Sequence, residues 1–168
     1  MMRKIFYGMA ALLLMASCNP AGPSAFSGYY SFKTGGFLQI AGTVTDLSGK
    51  RDTTFVRHLV AESGQMHVLR ESGDRMIVTM NITGGDPVVF PAAVSDGTIV
   101  LEPVLRSVLV RPALGDDAIR HDFTVSGTGR KYDNMILFDL LYEGDFRDGW
   151  LEGTVEESGV KCIATENE

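Results

Sequence analysis

The feature that most limits what this chain can fold into is its punctuation. From Phe26 onward, clusters of Gly, Ser, Asp and Pro recur at intervals of about 8–12 residues. They stand at Asp46-Leu47-Ser48-Gly49-Lys50, Glu62-Ser63-Gly64, Glu71-Ser72-Gly73-Asp74, Gly84-Gly85-Asp86-Pro87, Ser95-Asp96-Gly97, Gly144–Gly149 and Glu157-Ser158-Gly159. The segments between them alternate apolar and polar residues, and none of 10–15 residues has helical periodicity. A helix of ordinary length has no room in this rhythm. An antiparallel sheet does, because short turns join neighbouring strands.

The predicted strands follow in order. Gly28–Lys33 alternates Tyr30 and Phe32, and Gly35-Gly36 separates it from residues 37–45, where Leu38, Ile40 and Val44 share a face and Gly42 marks a bend or bulge. Residues 53–61 make the next strand. Residues 65–70 and 75–82 form a hairpin with Met76, Val78, Met80 and Ile82 on one face. Residues 88–94 are interrupted by Pro91, which predicts an edge strand or a loop. Thr98–Leu101 is a strand. Residues 104–110 read as strand or short helix, with Val104, Val108 and Val110 on one face. Pro112–Asp117 is a loop, and residues 119–126 lead into a turn at Gly127-Thr128-Gly129. Residues 135–143 put Ile136, Phe138, Leu140 and Tyr142 on one face. Residues 150–156 and 160–165 complete the set.

Nine to ten strands joined by short connections predict an all-β fold, an antiparallel meander closing into a β-barrel of about 8–10 strands, with a β-sandwich as the alternative. Closure is favoured because it leaves no exposed edge. Over residues 27–165 this layout resembles the lipocalin and calycin group, specifically the small lipocalin-like lipoproteins of Gram-negative bacteria. Gly28-Tyr29-Tyr30 stands where that group opens its first strand with glycine, any residue, tryptophan. The resemblance implies a barrel that holds a small apolar molecule. It carries over no binding residue.

The start of the chain sets where the fold would reside. Arg3 and Lys4 form a positive n-region, Ile5–Leu14 is apolar apart from Gly8, and Met15-Ala16-Ser17 is the small-residue cleavage region of a secretory signal. At 13 residues, Ile5 to Ser17 is short of the about 20 needed to span a bilayer. Met15-Ala16-Ser17-Cys18 resembles the lipobox of bacterial lipoproteins, a leucine, two small residues and a cysteine. The resemblance implies cleavage between Ser17 and Cys18 and acylation of Cys18. Two or more acyl chains hold a protein stably at a membrane. Asn19, where aspartate often marks inner-membrane retention, implies an outer-membrane address. The domain plan is then residues 1–17 as signal peptide, 18–26 as lipidated cysteine and Pro/Gly/Ser tether, 27–165 as one all-β domain, and 166–168 as a polar tail.

Charge narrows the partners. The chain has 15 basic and 21 acidic residues, a formal net charge of −6, and loss of the signal removes only basic ones. Without a Lys/Arg cluster the chain is a poor nucleic-acid binder, since phosphate contacts supply most of that affinity. It also lacks a polybasic patch for anionic lipid, so attachment to the membrane is expected through the lipid on Cys18. Cys162, with no second mature cysteine to pair with, is expected as a small buried hydrophobe beside Val160 and Ala164.

No catalytic, metal or cofactor site is expected. His58, His67 and His121 lack zinc-ligand spacing, although His58 and His67 could face each other across a hairpin. Asp145 and Asp148 lie in a glycine-bounded loop without the ligand spacing of a calcium-binding EF-hand. Gly127-Thr128-Gly129 lacks the lysine and helix of a phosphate loop. Asp139 interrupts an apolar strand; it either faces water or takes Arg57, Arg106 or Arg111 as partner. Met66, Met76, Met80 and Met135 read as core filler. The expected function is a lipid-anchored envelope lipoprotein whose barrel binds a small apolar ligand. The alternative is a structural or interaction lipoprotein with a solid barrel and an envelope protein as partner. An enzyme has no motif to support it.

Overall fold

The computed structural model describes residues 21–112 and 117–167. One helical turn, α1 (Pro23–Phe26), precedes ten strands: β1 (Gly28–Asp46), β2 (Gly49–His58), β3 (Ser63–Ser72), β4 (Arg75–Ile82), β5 (Val88–Ser95), β6 (Thr98–Val110), β7 (Ile119–Tyr132), β8 (Met135–Glu143), β9 (Asp145–Asp148) and β10 (Leu151–Glu166). All pair antiparallel in a single sheet ordered β2-β1-β3-β4-β5-β6-β7-β8-β10-β9, and β1 also pairs with β10. That last ladder runs from Tyr30↔Glu166 to Val44↔Leu151. It closes a barrel-like ring of hydrogen bonds through eight strands, β1-β3-β4-β5-β6-β7-β8-β10. The ring, rather than two facing sheets, is the architecture.

Alternation carries the closure. Tyr30, Phe32, Met66, Val68, Met76, Val78, Met80, Ile136, Phe138, Leu140, Cys162 and Ala164 all point inward and are buried. Val78 pairs directly with Val68 of β3, and Phe138 of β8 with Cys162 of β10. Residues 104–110 are strand, not helix: β6 runs through Pro103 by shifting register between Leu101 and Val104. A bulge is where a strand tolerates a missing N–H.

Several turn signals do not produce turns. Gly35-Gly36 lies inside β1, and Glu157-Ser158-Gly159 lies inside β10. These glycines face the opposite strand: Gly36 pairs with Val160, Phe37 with Gly159, and Gly42 with Gly153. A Cβ on Gly159 would sit 2.5 Å from the Phe37 ring. Here glycine permits close approach of two strongly coiled strands rather than chain reversal. The register slips between Gln39 and Ile40, leaving Glu156 unopposed as a bulge. Gly127-Thr128-Gly129 likewise lies within β7, not in a turn, and Asp145–Asp148 is strand β9, not a loop.

Because β1 and β10 are long, they outrun the ring. One edge of β1 pairs with β3 over Gly28–Lys33 and with β2 over Phe37–Asp46. The far halves of β1 and β10 therefore carry β2 and β9 as an extension. The end of β2 reaches β6 through the Leu59–Val110 bridge. At the opposite end, α1 occupies part of the stretch expected as tether. It buries Phe26 in the core, and Tyr30 Oη donates to the Phe26 carbonyl at 2.9 Å.

Candidate functional site

The ring interior is packed. Tyr30, Phe90, Phe123, Phe138, Tyr142, Leu38 and the three inward methionines each keep less than 2% of their surface accessible. A side chain in that state has no water-sized space beside it. Met66, Met76 and Met80 are core; Met135 is 39% exposed.

Open space lies instead between β5 and β6. These strands are joined by Asp96-Gly97, both with positive φ (50° and 72°), the conformation of a two-residue hairpin turn. They pair over only Ala92–Ser95 and Thr98–Leu101. Beyond Leu101 they part. Two prolines explain this. The Val94 N–H donates to Asp74 O on the β4 side, so by alternation Pro91 directs its nitrogen toward β6, where it has no proton to give. The bulge at Leu101–Val104 then turns β6 away. Pro91 thus sits in a strand that has neighbours on both sides, at the point where one of the two ladders stops. It marks neither a loop nor an outermost strand.

The result is a cleft of about 540 Å³ bounded by residues 60–63, the β4–β5 connection, the start of β5 and β6. Its lining mixes aliphatic side chains, among them Ile82, Val88, Val104 and Val108, with Arg106, Glu62 and Arg120. Arg106 is 6% exposed and its Nη2 donates to Glu62 Oε1 at 2.6 Å. Its Nε and Nη1 are buried without an acceptor. A buried guanidinium left with unmade hydrogen bonds is costly. The sequence offered Arg106 only as a partner for Asp139, not as an inward residue beside Val104 and Val108. It gave no sign that Glu62, far away in the chain, would meet it.

The remaining candidates separate. Asp139 faces solvent and pairs with Lys161, so Arg57, Arg106 and Arg111 are not its partners. Arg57 instead lies 3.6 Å from Asp148 and 4.8 Å from the Phe55 ring centre. His58 and His67 do not face each other across a hairpin, since β2 and β3 both pair with β1. His67 stacks on Tyr29 at 4.2 Å. His121 stacks on Phe146 at 4.4 Å. Burial lowers its pKa, while Asp148 and Asp122 push the other way. Cys162 is buried in the core, and burial pushes its thiol up to about 12. Among the described residues no three His, Cys, Asp or Glu side chains gather as metal ligands. Ser17 and Cys18 lie outside the described residues.

Comparison of the chain with protein-family models, with curated proteins and with solved structures finds no match.

Proposed function

We propose that this chain is a lipid-anchored, non-catalytic binding protein of the cell envelope, and that it binds at the cleft between β5 and β6 rather than inside the ring. The single observation that carries this reading is Arg106: a buried cation, half paired, in the lining of the cleft between β5 and β6. The packed interior supports it by leaving the ring as a rigid support. The lipobox-like Met15-Ala16-Ser17-Cys18 supports anchorage through an acylated Cys18, and Asn19 supports the outer membrane. A small amphipathic molecule suits this lining, which sets the aliphatic side chains of Ile82, Val88 and Val104 beside Arg106.

Two measurements test this. The amphipathic anion 1-anilinonaphthalene-8-sulfonate should bind the folded protein at one site, and Val104→Trp, which adds bulk to the cleft lining, should abolish that binding. Unchanged binding in the variant refutes the cleft as the site. For the anchor, metabolic labelling with an alkyne fatty acid should mark the protein and fail on Cys18→Ala. A variant that still labels and still sediments with membranes ends the lipidation reading.

A further inference from the structure

Among the described residues, no ladder covers the cleft side of β6 at Leu105–Ser107 or of β5 at Val89–Pro91. In an antiparallel strand each residue sends its N–H and C=O to the same side, and successive residues alternate. The Val60 N–H donates to Leu109 O at 2.8 Å, so Leu109 faces away from β7. The β6–β7 register is unbroken from Val104 to Val110. Leu105 and Ser107 therefore direct their N–H and C=O into the cleft as Leu109 does. On the other bank, Val89 and the carbonyl of Pro91 face the same gap. Leu105 is 75% exposed and Val89 51% exposed, so apolar side chains flank these edges.

We infer that the cleft is a strand-addition site: an extended peptide carrying a carboxylate pairs with the free edge of β6 and places that carboxylate at Arg106. The inference rests on the cleft being the binding site. It goes further by naming the occupant. A small apolar molecule would cover Leu105 and Ser107 while leaving their backbone groups unpaired, which is costly. An extended chain offers donors and acceptors at the same repeat, about 6.6–6.8 Å between alternate residues, and its side chains alternate toward the aliphatic lining. The carboxylate follows from the unpaired Nε and Nη1 of Arg106, since Glu62 occupies only Nη2. Charge-assisted hydrogen bonds of this kind are the strong ones.

The test uses the full-length protein in detergent and fluorescein-labelled hexapeptides of alternating threonine and valine. One carries a central glutamate and an amidated C-terminus, one a central glutamine and a free C-terminus, and one a central glutamine and an amidated C-terminus. Either of the first two should bind at least about tenfold more tightly than the third, and which one does so identifies the carboxylate as side-chain or terminal. Binding should slow amide hydrogen exchange at Leu105 and Ser107 by tenfold or more. Leu105→Pro removes a donor from the cleft edge and leaves the β7 ladder intact; it should weaken binding about tenfold. N-methylation of alternate peptide residues tests the same bonds without altering the protein. Peptide binding with unchanged exchange at Leu105 and Ser107 overturns strand addition. So does failure of all three peptides while anilinonaphthalene sulfonate still binds, an outcome that leaves the cleft reading standing; loss of both removes it too. Slowed exchange that rises with protein concentration and needs no peptide names a second copy of the chain as occupant and overturns the proposal.

Discussion

Replacing Gly129 with alanine should destabilise the protein, and the size of the loss measures how full the ring is. Gly129 lies on β7, directly paired with Phe138 of β8. A Cβ there would stand 2.6 Å from two Phe138 ring carbons and 2.9 Å from Ile99 Cγ2, closer than the 3.0 Å that real Cβ atoms keep. Phe138 and Ile99 are both 0% exposed, so neither has space to retreat into. Overpacking of this kind costs about 1–3 kcal/mol, and each kcal/mol lowers the melting temperature of a domain this size by about 2–4 °C. Urea unfolding followed by far-UV circular dichroism reads the loss. Phe138→Ala removes both ring carbons in conflict, so the double variant should be more stable than the sum of the singles predicts by about 1 kcal/mol. A loss under about 0.5 kcal/mol, or additivity in the double variant, would mean that free space absorbs the methyl. The packed interior would then be wrong, and a ligand within the ring would return.

Other outcomes follow from single environments. Glu62→Leu and Arg106→Met should each cost about 3 kcal/mol because each strands the other charge of a largely buried pair, whereas the double variant should be nearer neutral; additive losses in denaturant titrations would refute the pairing. Cys162 should resist iodoacetamide at pH 8 in the folded protein and react on unfolding, since burial holds its thiol up to about 12; mass spectrometry showing full labelling of the native state would contradict this. Folding lowers the pKa of His121 from 6.5, so the unfolded state binds the extra proton and stability falls as the pH drops below that value. His121→Phe should flatten the stability profile between about pH 7 and 5, and an unchanged slope would count against buried imidazole as its cause.

Much of this architecture was legible residue by residue. Ile136, Phe138, Leu140 and Tyr142 declared the inward face of β8 because a period of two has one meaning in a half-buried strand. Glu71-Ser72-Gly73-Asp74 declared the β3–β4 hairpin for the same local reason. Glycine was ambiguous. Gly73 and Gly97 have positive φ and make turns. Gly129 and Gly159 sit in extended strands and clear space for Phe138 and Phe37. Both uses look alike in sequence, because what separates them is the neighbour across the sheet. Pro91 predicts an edge strand or a loop, whereas it ends only one of the two ladders of a strand with neighbours on both sides.

The sequence by itself determined the acidic charge, the all-β class and the inward face of most strands. These depend on residues adjacent in the chain or two apart. Only the tertiary structure decided that β1 meets β10 to close the ring, that the interior is packed, and that β5 and β6 part beyond Leu101. It alone brought Glu62 to Arg106, 44 residues apart in the chain. Such pairings belong to register between distant strands, and no local period encodes which strand lies alongside which.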